Sequence, residues 1–550
     1  MLVKGEKETL RRLIYNRYIV SRKTNTSYDY YDVPKLANLW DLITYRKDLK
    51  KTAFAWREDG KLRRKSFANV FDDVKALSGY FYANYQGKNI AVIGEDSYTW
   101  LIIALAIIVS GNVCVALDKD SDPELLRKQL KQADVKAVYY SLDYCGEIGE
   151  IFRESYPFEE VEDYISLGKK LHNKNTQDIQ KDAMIFFTSG TTGYSKAVVL
   201  SQKNIMADLY GASSIYCPSG RAASFLPYHH AFGFVTSLLM PYYYGCYTFI
   251  SGSLKRLLDD FKDGRPDTIF AVPMVVETMY RQIWRTARRE KRERKLSRGI
   301  KVSNALMKIG IDWRKKLFKQ ILDEFGGNVD YIICGGAALD VKYIEWFRSI
   351  GIEILVGYGI TECSPVVAVN RNHYKRDGSV GQICRDVNVR IIDDEIVVSG
   401  DIVMKGYYKD RKSTEEVLKD GRFYTGDLGR LDEDGFLFVT GRKKNLIILS
   451  NGENVSPEEI EAKLASDNGV AEVIAYEDNN RIIVSIYPEK SYMGDQDYFD
   501  ELIGEYNREK PKNRQIAYVR LRTAEFPRNN NGKIIRSKVI EEEANGERSN

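Results

Sequence analysis

The segment Met184-Ile-Phe-Phe-Thr188-Ser189-Gly190-Thr191-Thr192-Gly193-Tyr194-Ser195-Lys196 leaves an apolar run for small hydroxyl and glycine residues and closes on a lysine. Glycines let successive backbone N–H groups turn into one concavity, hydroxyls add donors, and the lysine adds a point charge. That chemistry suits a polyphosphate. A solvated surface turn accounts for the same composition when these residues are taken alone. A P-loop is excluded by spacing, because it needs G-x-x-x-x-G-K-[ST]. Gly190 and Gly193 stand three apart, Lys196 is followed by Ala197, and before Gly532-Lys533 the place of the first glycine is held by Pro527.

Further segments carry chemistry of their own. Gly335-Gly336-Ala337-Ala338-Leu339 allows a ligand close to the backbone where a side chain would block it. Tyr358-Gly359-Ile360-Thr361-Glu362 joins a flat aromatic face to a hydroxyl and a hard oxygen donor of the kind magnesium takes; an exposed glutamate is the alternative for Glu362. Tyr424-Thr425-Gly426-Asp427 ends on a carboxylate that either accepts two hydrogen bonds from a ligand or caps a turn. Leu226-Pro227-Tyr228-His229-His230-Ala231-Phe232-Gly233 holds two of the four histidines, and neither has metal-ligand spacing with His172 or His373. Lys533, within Arg528-Asn529-Asn530-Asn531-Gly532-Lys533, is a catalytic ammonium or a solvated surface lysine.

In their order along the chain, and with Gly441-Arg442-Lys443-Lys444, these segments resemble the adenylate-forming superfamily of acyl-CoA synthetases, peptide-synthetase adenylation domains and luciferases. The resemblance spans about residues 180–540. It implies an ATP site built from Thr188, Ser189, Gly190, Thr191, Thr192, Gly193, Lys196, Gly335, Gly336, Ala337, Tyr358, Gly359, Thr361, Asp427 and Arg442. Tyr358 would stack the adenine and Asp427 would hold both ribose hydroxyls. Glu362 would hold Mg2+, and Thr188 and Thr361 would donate to phosphate or acyl-phosphate oxygens. The resemblance also places His230 beside the acyl carboxylate and the thiol tunnel, and assigns Lys533 to adenylation. Lys444 would be a hinge that swaps the C-terminal domain between two steps, the second bringing Gly452 to the coenzyme A channel. The chain departs from the pattern at Asn445, where an acidic residue is frequent, and at Ser195, where proline is usual.

These residues need elements to hold them. Asn89–Gly94, Val113–Leu117, Asp134–Tyr140, Met184–Thr188, Ala223–Leu226, Thr268–Val272 and Tyr331–Cys334 read as strands with helical patterns between them, such as Tyr98–Ser110. That alternation predicts an α/β fold with mostly parallel sheets. From Gly378 the pattern turns to short strands (387–392, 395–399, 435–440), which predicts an antiparallel subdomain over about 378–441. The expected organisation is a large multi-subdomain N-terminal domain, 1–441, and a small mobile α+β domain, 442–550. In the latter, Ser456-Pro457-Glu458-Glu459 reads as a helix start with Ser456 as cap.

Lys+Arg 82 against Asp+Glu 77 leaves a net +5, so the chain as a whole is no polyanion binder. Seven scattered cysteines without a C-x-x-C pair argue against a zinc site and a disulfide framework. The N-terminus has no signal-peptide core, and the longest apolar run, Trp100–Val109, is too short to cross a bilayer. A cytoplasmic protein is expected.

Charge concentrates in Arg281–Lys316, with 14 Lys or Arg against Glu290, Glu293 and Asp312, and with Trp284, Ile300, Ile309, Ile311 and Trp313 interleaved. Such a stretch is a solvated helix face, a surface for anionic membrane at its inner face, or a nucleic-acid patch. No nucleic acid is expected as a partner. A basic insertion here resembles the long-chain acyl-CoA synthetases. The expectation is an ATP- and Mg2+-dependent long-chain fatty acid–CoA ligase with coenzyme A as co-substrate. An acyl carrier protein ligase and a non-catalytic nucleotide- or nucleic-acid-associated protein are the alternatives.

Overall fold

The computed structural model describes residues 30–141, 148–171, 178–188, 195–252, 254–449, 454–479, 481–528 and 534–547. Two sheets with parallel centres carry most of the molecule. In the first, of nine strands, Glu353–Gly359, Tyr331–Cys334, Thr268–Ala271, Arg221–Ser224, Tyr247–Ile250 and Thr52–Glu58 lie side by side in that order, all parallel. Antiparallel strands close both of its edges. In the second, of seven strands, Asp182–Thr188, Val113–Leu117, Asn89–Ile93, Ala137–Tyr140 and Ser155–Pro157 are parallel. Lys196–Ser201 and Gly406–Tyr407 extend it antiparallel beyond Asp182–Thr188. The α/β expectation is borne out.

The apolar run at Trp100 becomes the helix Tyr98–Val109, nearly all of it buried. Ser97 caps it by accepting from the Trp100 N–H at 3.1 Å, and Gly111 leaves it with φ +88°, a conformation that suits glycine. The helix packs on the strands of the seven-stranded sheet, while Trp100 meets Tyr228 and Phe234 of the other layer edge-on, at 5.5 and 5.9 Å between ring centres. A helix that is apolar all round needs cover on every side, and here it has it. No helix among the described residues is long and apolar enough to cross a membrane.

An antiparallel sheet follows, with Asn388–Ile392, Glu395–Ser399 and Arg422–Leu431 as its core and Leu437–Arg442 paired to the last of these. The change of texture at Gly378 comes slightly early, because Gln382–Ile383 still extends the nine-stranded sheet. Beyond the short pair Ile447–Ile448 and Asn454–Val455, three strands (Val470–Asp478, Arg481–Pro488, Ile516–Leu521) and the helices Pro457–Ala465 and Gln496–Arg508 enclose a core of their own around Ile460, Val484 and Phe499. Ser456 does stand before Pro457, but its hydroxyl caps nothing. It donates instead to the Thr440 carbonyl at 2.7 Å, tying the helix to the strand Leu437–Arg442.

Candidate active site

Thr188, His230, Gly335 and Tyr358 come from four distant parts of the chain, and all lie at or just past the carboxyl ends of parallel strands. Open α/β sheets bind ligands at those ends. Thr188 and Lys196 are register partners across an antiparallel pair, so the loop between them joins a hairpin. A P-loop would lead into a helix, and this context removes that reading as firmly as the spacing does. Ser189, Gly190, Thr191, Thr192 and Gly193 lie outside the described residues, as do Gly452, Lys533 and His172.

Around the base of that hairpin sits a charged group with an aromatic centre. Tyr407, on the strand Gly406–Tyr407 paired to Val198 and Val199, donates its hydroxyl to Glu362 Oε1 at 2.9 Å. The Lys196 ammonium lies over the same ring, 4.6 Å from its centre. Burial pushes the Glu362 carboxyl above its ordinary value, and the Tyr407 bond and the charges of Lys196 and Arg442 oppose that rise. The exposed-glutamate alternative therefore fails. Tyr407 escaped the sequence reading because a tyrosine 45 residues from Glu362 has no linear signal; only the pairing of two strands brings them together.

The second group centres on Asp427. It lies inside the strand Arg422–Leu431, nearly fully buried, with Oδ2 accepting from the Tyr358 hydroxyl at 2.7 Å and Oδ1 paired with Arg442 Nε at 2.8 Å. Both carboxylate oxygens are thus engaged by side chains brought in by other strands. Gly359, the next residue after Tyr358, approaches the Pro365 carbonyl so closely that a Cβ there would stand 2.1 Å from the oxygen. The Ile360 N–H bonds the same oxygen at 2.9 Å. Glycine is thus required at 359 to fold the Thr361-Glu362 turn back on itself.

Gly335 is buried and faces the Phe232 ring, which would lie 3.2 Å from a Cβ. Gly336, Ala337 and Ala338 are exposed, and Gly336 adopts φ +89°. Phe232 opens a π-helical stretch, Phe232–Leu239, a form common at functional sites. His229 and His230 precede it with rings 4.3 Å apart. Burial holds the His229 pKa well below its ordinary value, with the charges of His230 and Lys119 adding to it, so the ring is neutral. Asp118 stands 3.7 Å from it. Asp96, half-buried nearby, accepts the Tyr228 N–H at 2.9 Å, and its carboxyl is pushed up to about 7, chiefly by desolvation.

The segment leading into the hinge position is held to the larger body. Arg442 pairs with Asp427, and Lys443 with Glu395 at 2.9 Å, while the same Glu395 accepts the Gly426 N–H. Past Lys444 the attachments change sides, for Asn445 donates to Glu458 of the helix Pro457–Ala465 at 2.6 Å. A cavity of about 340 Å³ lined by Thr425, Gly426, Arg442, Lys443 and Lys444 lies at this crossing. Arg528 pairs with Glu472 and acts electrostatically on Glu277 of the helix Pro273–Arg289, as does Lys342, which donates to the Ala465 carbonyl at 2.8 Å.

Among the described residues no three carboxylate, histidine or cysteine side chains gather to hold a metal. One carboxylate, Glu362, stands by the base of the Thr188–Lys196 hairpin. That donor set fits magnesium brought in on ATP, since the ion keeps its waters and takes one or two carboxylates beside phosphate oxygens.

Two parallel-centred sheets presenting strand ends to a common site, with a small unit attached through Lys444, define a nucleotide-dependent enzyme of the α/β class. The chain belongs to the AMP-binding enzyme family: residues 44–408 match the AMP-binding enzyme model and residues 444–545 its C-terminal domain. It is 30% identical over 478 residues to long-chain-fatty-acid–CoA ligase 6 of Mus musculus, covering 80% of this chain and 68% of that protein. It is 26% identical over 450 residues to long-chain-fatty-acid–CoA ligase FadD15 of Mycobacterium tuberculosis, covering 73% and 74%. The fold is shared with ATP-bound MatB from Rhodopseudomonas palustris, at a TM-score of 0.74 and 21% identity over 92% of this chain and 98% of that one. It is also shared with o-succinylbenzoate CoA synthetase (MenE) from Bacillus subtilis, at a TM-score of 0.71 and 20% identity over 91% and 98%.

Proposed function

We propose that this protein activates a long-chain fatty acid with ATP and transfers the acyl group to coenzyme A. In the first step a carboxylate oxygen attacks the α-phosphorus, the bond to pyrophosphate breaks, and acyl-AMP remains. In the second, the coenzyme A sulfur attacks the acyl carbon, the carbon–oxygen bond to AMP breaks, and AMP leaves with the thiol proton lost to solvent or a base. The observation that carries this reading is the pair of groups just described. Tyr358, Asp427 and Arg442 offer a ring, an acceptor and a cation to a nucleoside. Glu362, Tyr407 and Lys196 stand at the foot of a hydroxyl-rich hairpin loop suited to its phosphates.

Within this reading Thr188, Thr361 and the loop Ser189–Gly193 bind phosphate, and Gly335, Gly336, Ala337 and Gly359 admit the adenine beside Tyr358. Asp427 exchanges its present partners for the ribose hydroxyls, and His230 lies by the acyl group. Lys533 offsets charge during adenylation, and rotation at Lys444 then brings Gly452 to the coenzyme A channel. The protein works in the cytoplasm and meets the inner face of an anionic membrane through Arg281–Lys316.

A panel of acids from acetate to oleate, with aryl acids, assayed for AMP with and without coenzyme A tests the reading. AMP formation greatest with long alkyl acids and dependent on coenzyme A is expected. Dependence on an acyl carrier protein would move the acceptor, and no pyrophosphate with any acid would make the protein a non-catalytic nucleotide binder.

A further inference from the structure

Fifteen large apolar side chains are exposed among the described residues, and six of them (Val302, Met307, Ile309, Ile311, Trp313 and Leu317) fall within one run of sixteen. Ile309 is 70% exposed and Trp313 54%. They occupy the end of the helix Glu293–Lys308 and the turn into the short helix Arg314–Leu317. The basic stretch is thus two long helices and a tip, and its aromatic residues divide. Trp284 packs inward on Tyr280 and Trp346, whereas Trp313 faces out.

The tip is braced. Arg314 donates to the Arg348 carbonyl at 2.9 Å and pairs with Asp312 and Glu353, and Ser303 donates to the Ser349 carbonyl at 2.8 Å. Exposure here is built in by the anchoring of the backbone beneath it.

Charge on the same helix is ordered too. Leu296, Ile300 and Ser303 turn inward, while Arg294, Arg298, Lys301 and Lys308 are exposed at spacings of four, three and seven, which is one helix face. Their span is about 21 Å at 1.5 Å per residue. Among the described residues none of these four is in an ion pair, whereas Arg288 is held by Glu293 at 2.9 Å and Arg292 by Glu290 at 3.1 Å. Glu353, against which Arg314 rests, begins the strand that ends at Tyr358 and Gly359. The anchor of the tip and the nucleotide site therefore lie at opposite ends of that strand, about 20 Å apart.

We infer that the turn Ile309–Leu317 and the face Arg294–Lys308 are the surface by which this protein docks on an anionic lipid bilayer. The apolar tip enters the headgroup layer, the cationic face lies along it, and the nucleotide end of that strand stays in water. This rests on the membrane contact proposed above and narrows it to one part of Arg281–Lys316. Large exposed apolar patches mark interaction sites, and a row of cations outside ion pairs selects negatively charged lipid over a neutral surface.

Cosedimentation with phosphatidylcholine vesicles, with and without phosphatidylglycerol, tests it on the full chain, with thermal unfolding confirming that each variant is folded. The triple variant R298Q/K301Q/K308Q should lose about a hundredfold in affinity for the anionic vesicles, since each cation near such a surface contributes about fivefold. The triple variant R288Q/R289Q/R292Q removes the same charge from the other end and should lose less than about tenfold. I309S/W313S should bind more weakly at every salt concentration, and quenching by bromine-labelled lipid tails should disappear with Trp313. If the unaltered protein ignores anionic vesicles, the membrane contact and this surface fall together. If it binds and both triple variants release it equally, the contact stands and this placement is wrong. If I309S/W313S instead turns a lipid-free dimer into a monomer, the tip joins two copies and the inference is overturned.

Discussion

Tyr407 ties the carboxylate of Glu362 to the aromatic floor beneath Lys196, and that bond helps keep a buried acid ionised. Replacing it by phenylalanine keeps the ring and removes the donor, a hydrogen bond to a charged group that contributes about 1.5–3 kcal/mol. Tyr407→Phe should raise the magnesium concentration needed for AMP formation by about tenfold or more, most strongly at acid pH, where the raised Glu362 takes up a proton first. Glu362→Gln should do the same and lose the pH dependence. An unchanged magnesium requirement in both would remove Glu362 from the metal. Asp96 gives a prediction of stability instead. Its folded pKa of about 7 lies above the 3.8 of an ordinary aspartate, so the folded chain holds the proton more tightly. The stability this contributes is complete below about pH 4 and is lost as pH rises to about 7. Compared by urea unfolding, the unaltered protein should fall behind Asp96→Asn by up to a few kcal/mol between pH 5 and 8. A constant difference would contradict the burial argument. Lone side chains of this kind were out of reach of the sequence, because Asp96 and Tyr407 act only through enclosures that distant segments build.

Strands were the legible elements. Val113–Leu117, Tyr331–Cys334 and Glu395–Ser399 stand where short apolar runs put them, since a strand buried on both faces is written as a continuous run. Strand ends were less so: the run at Ala223 begins at Arg221 and has left the sheet by Phe225. Ser456 had the sequence of a cap and found a better acceptor in Thr440 across the chain crossing. The basic stretch read as one amphipathic unit because periodicity cannot show the break at Glu290–Arg292 that folds it into two helices. At Gly359 the residue type alone did not reveal the close approach that requires it, which the Pro365 carbonyl makes. Gly359→Ala forces that backbone contact apart and should cost about 1–3 kcal/mol in stability. Because it also displaces Tyr358 from Asp427, apparent ATP affinity should fall with it. A variant as stable as the original and as tight for ATP would mean the turn is not held by that contact.

At the scale of the molecule, attachments on either side of Lys444 belong to different bodies: Arg442 and Lys443 to Asp427 and Glu395, Asn445 to Glu458. Rotation confined to that residue would exchange which face of the smaller body meets the nucleotide. Lys533→Ala should then slow acyl-AMP formation by about a hundred- to a thousandfold, the effect of one preorganised charge contact. Transfer from supplied acyl-AMP to coenzyme A should be nearly unaffected, and equal loss in both steps would refute two orientations. The two-step route itself is tested most directly by oxygen transfer. Hexadecanoate labelled with ¹⁸O in its carboxylate is incubated with ATP, magnesium and coenzyme A, and the AMP is analysed by mass spectrometry. Attack of the carboxylate on the α-phosphorus predicts AMP carrying one labelled oxygen for each thioester formed. Unlabelled AMP, or label in phosphate or pyrophosphate, would contradict it.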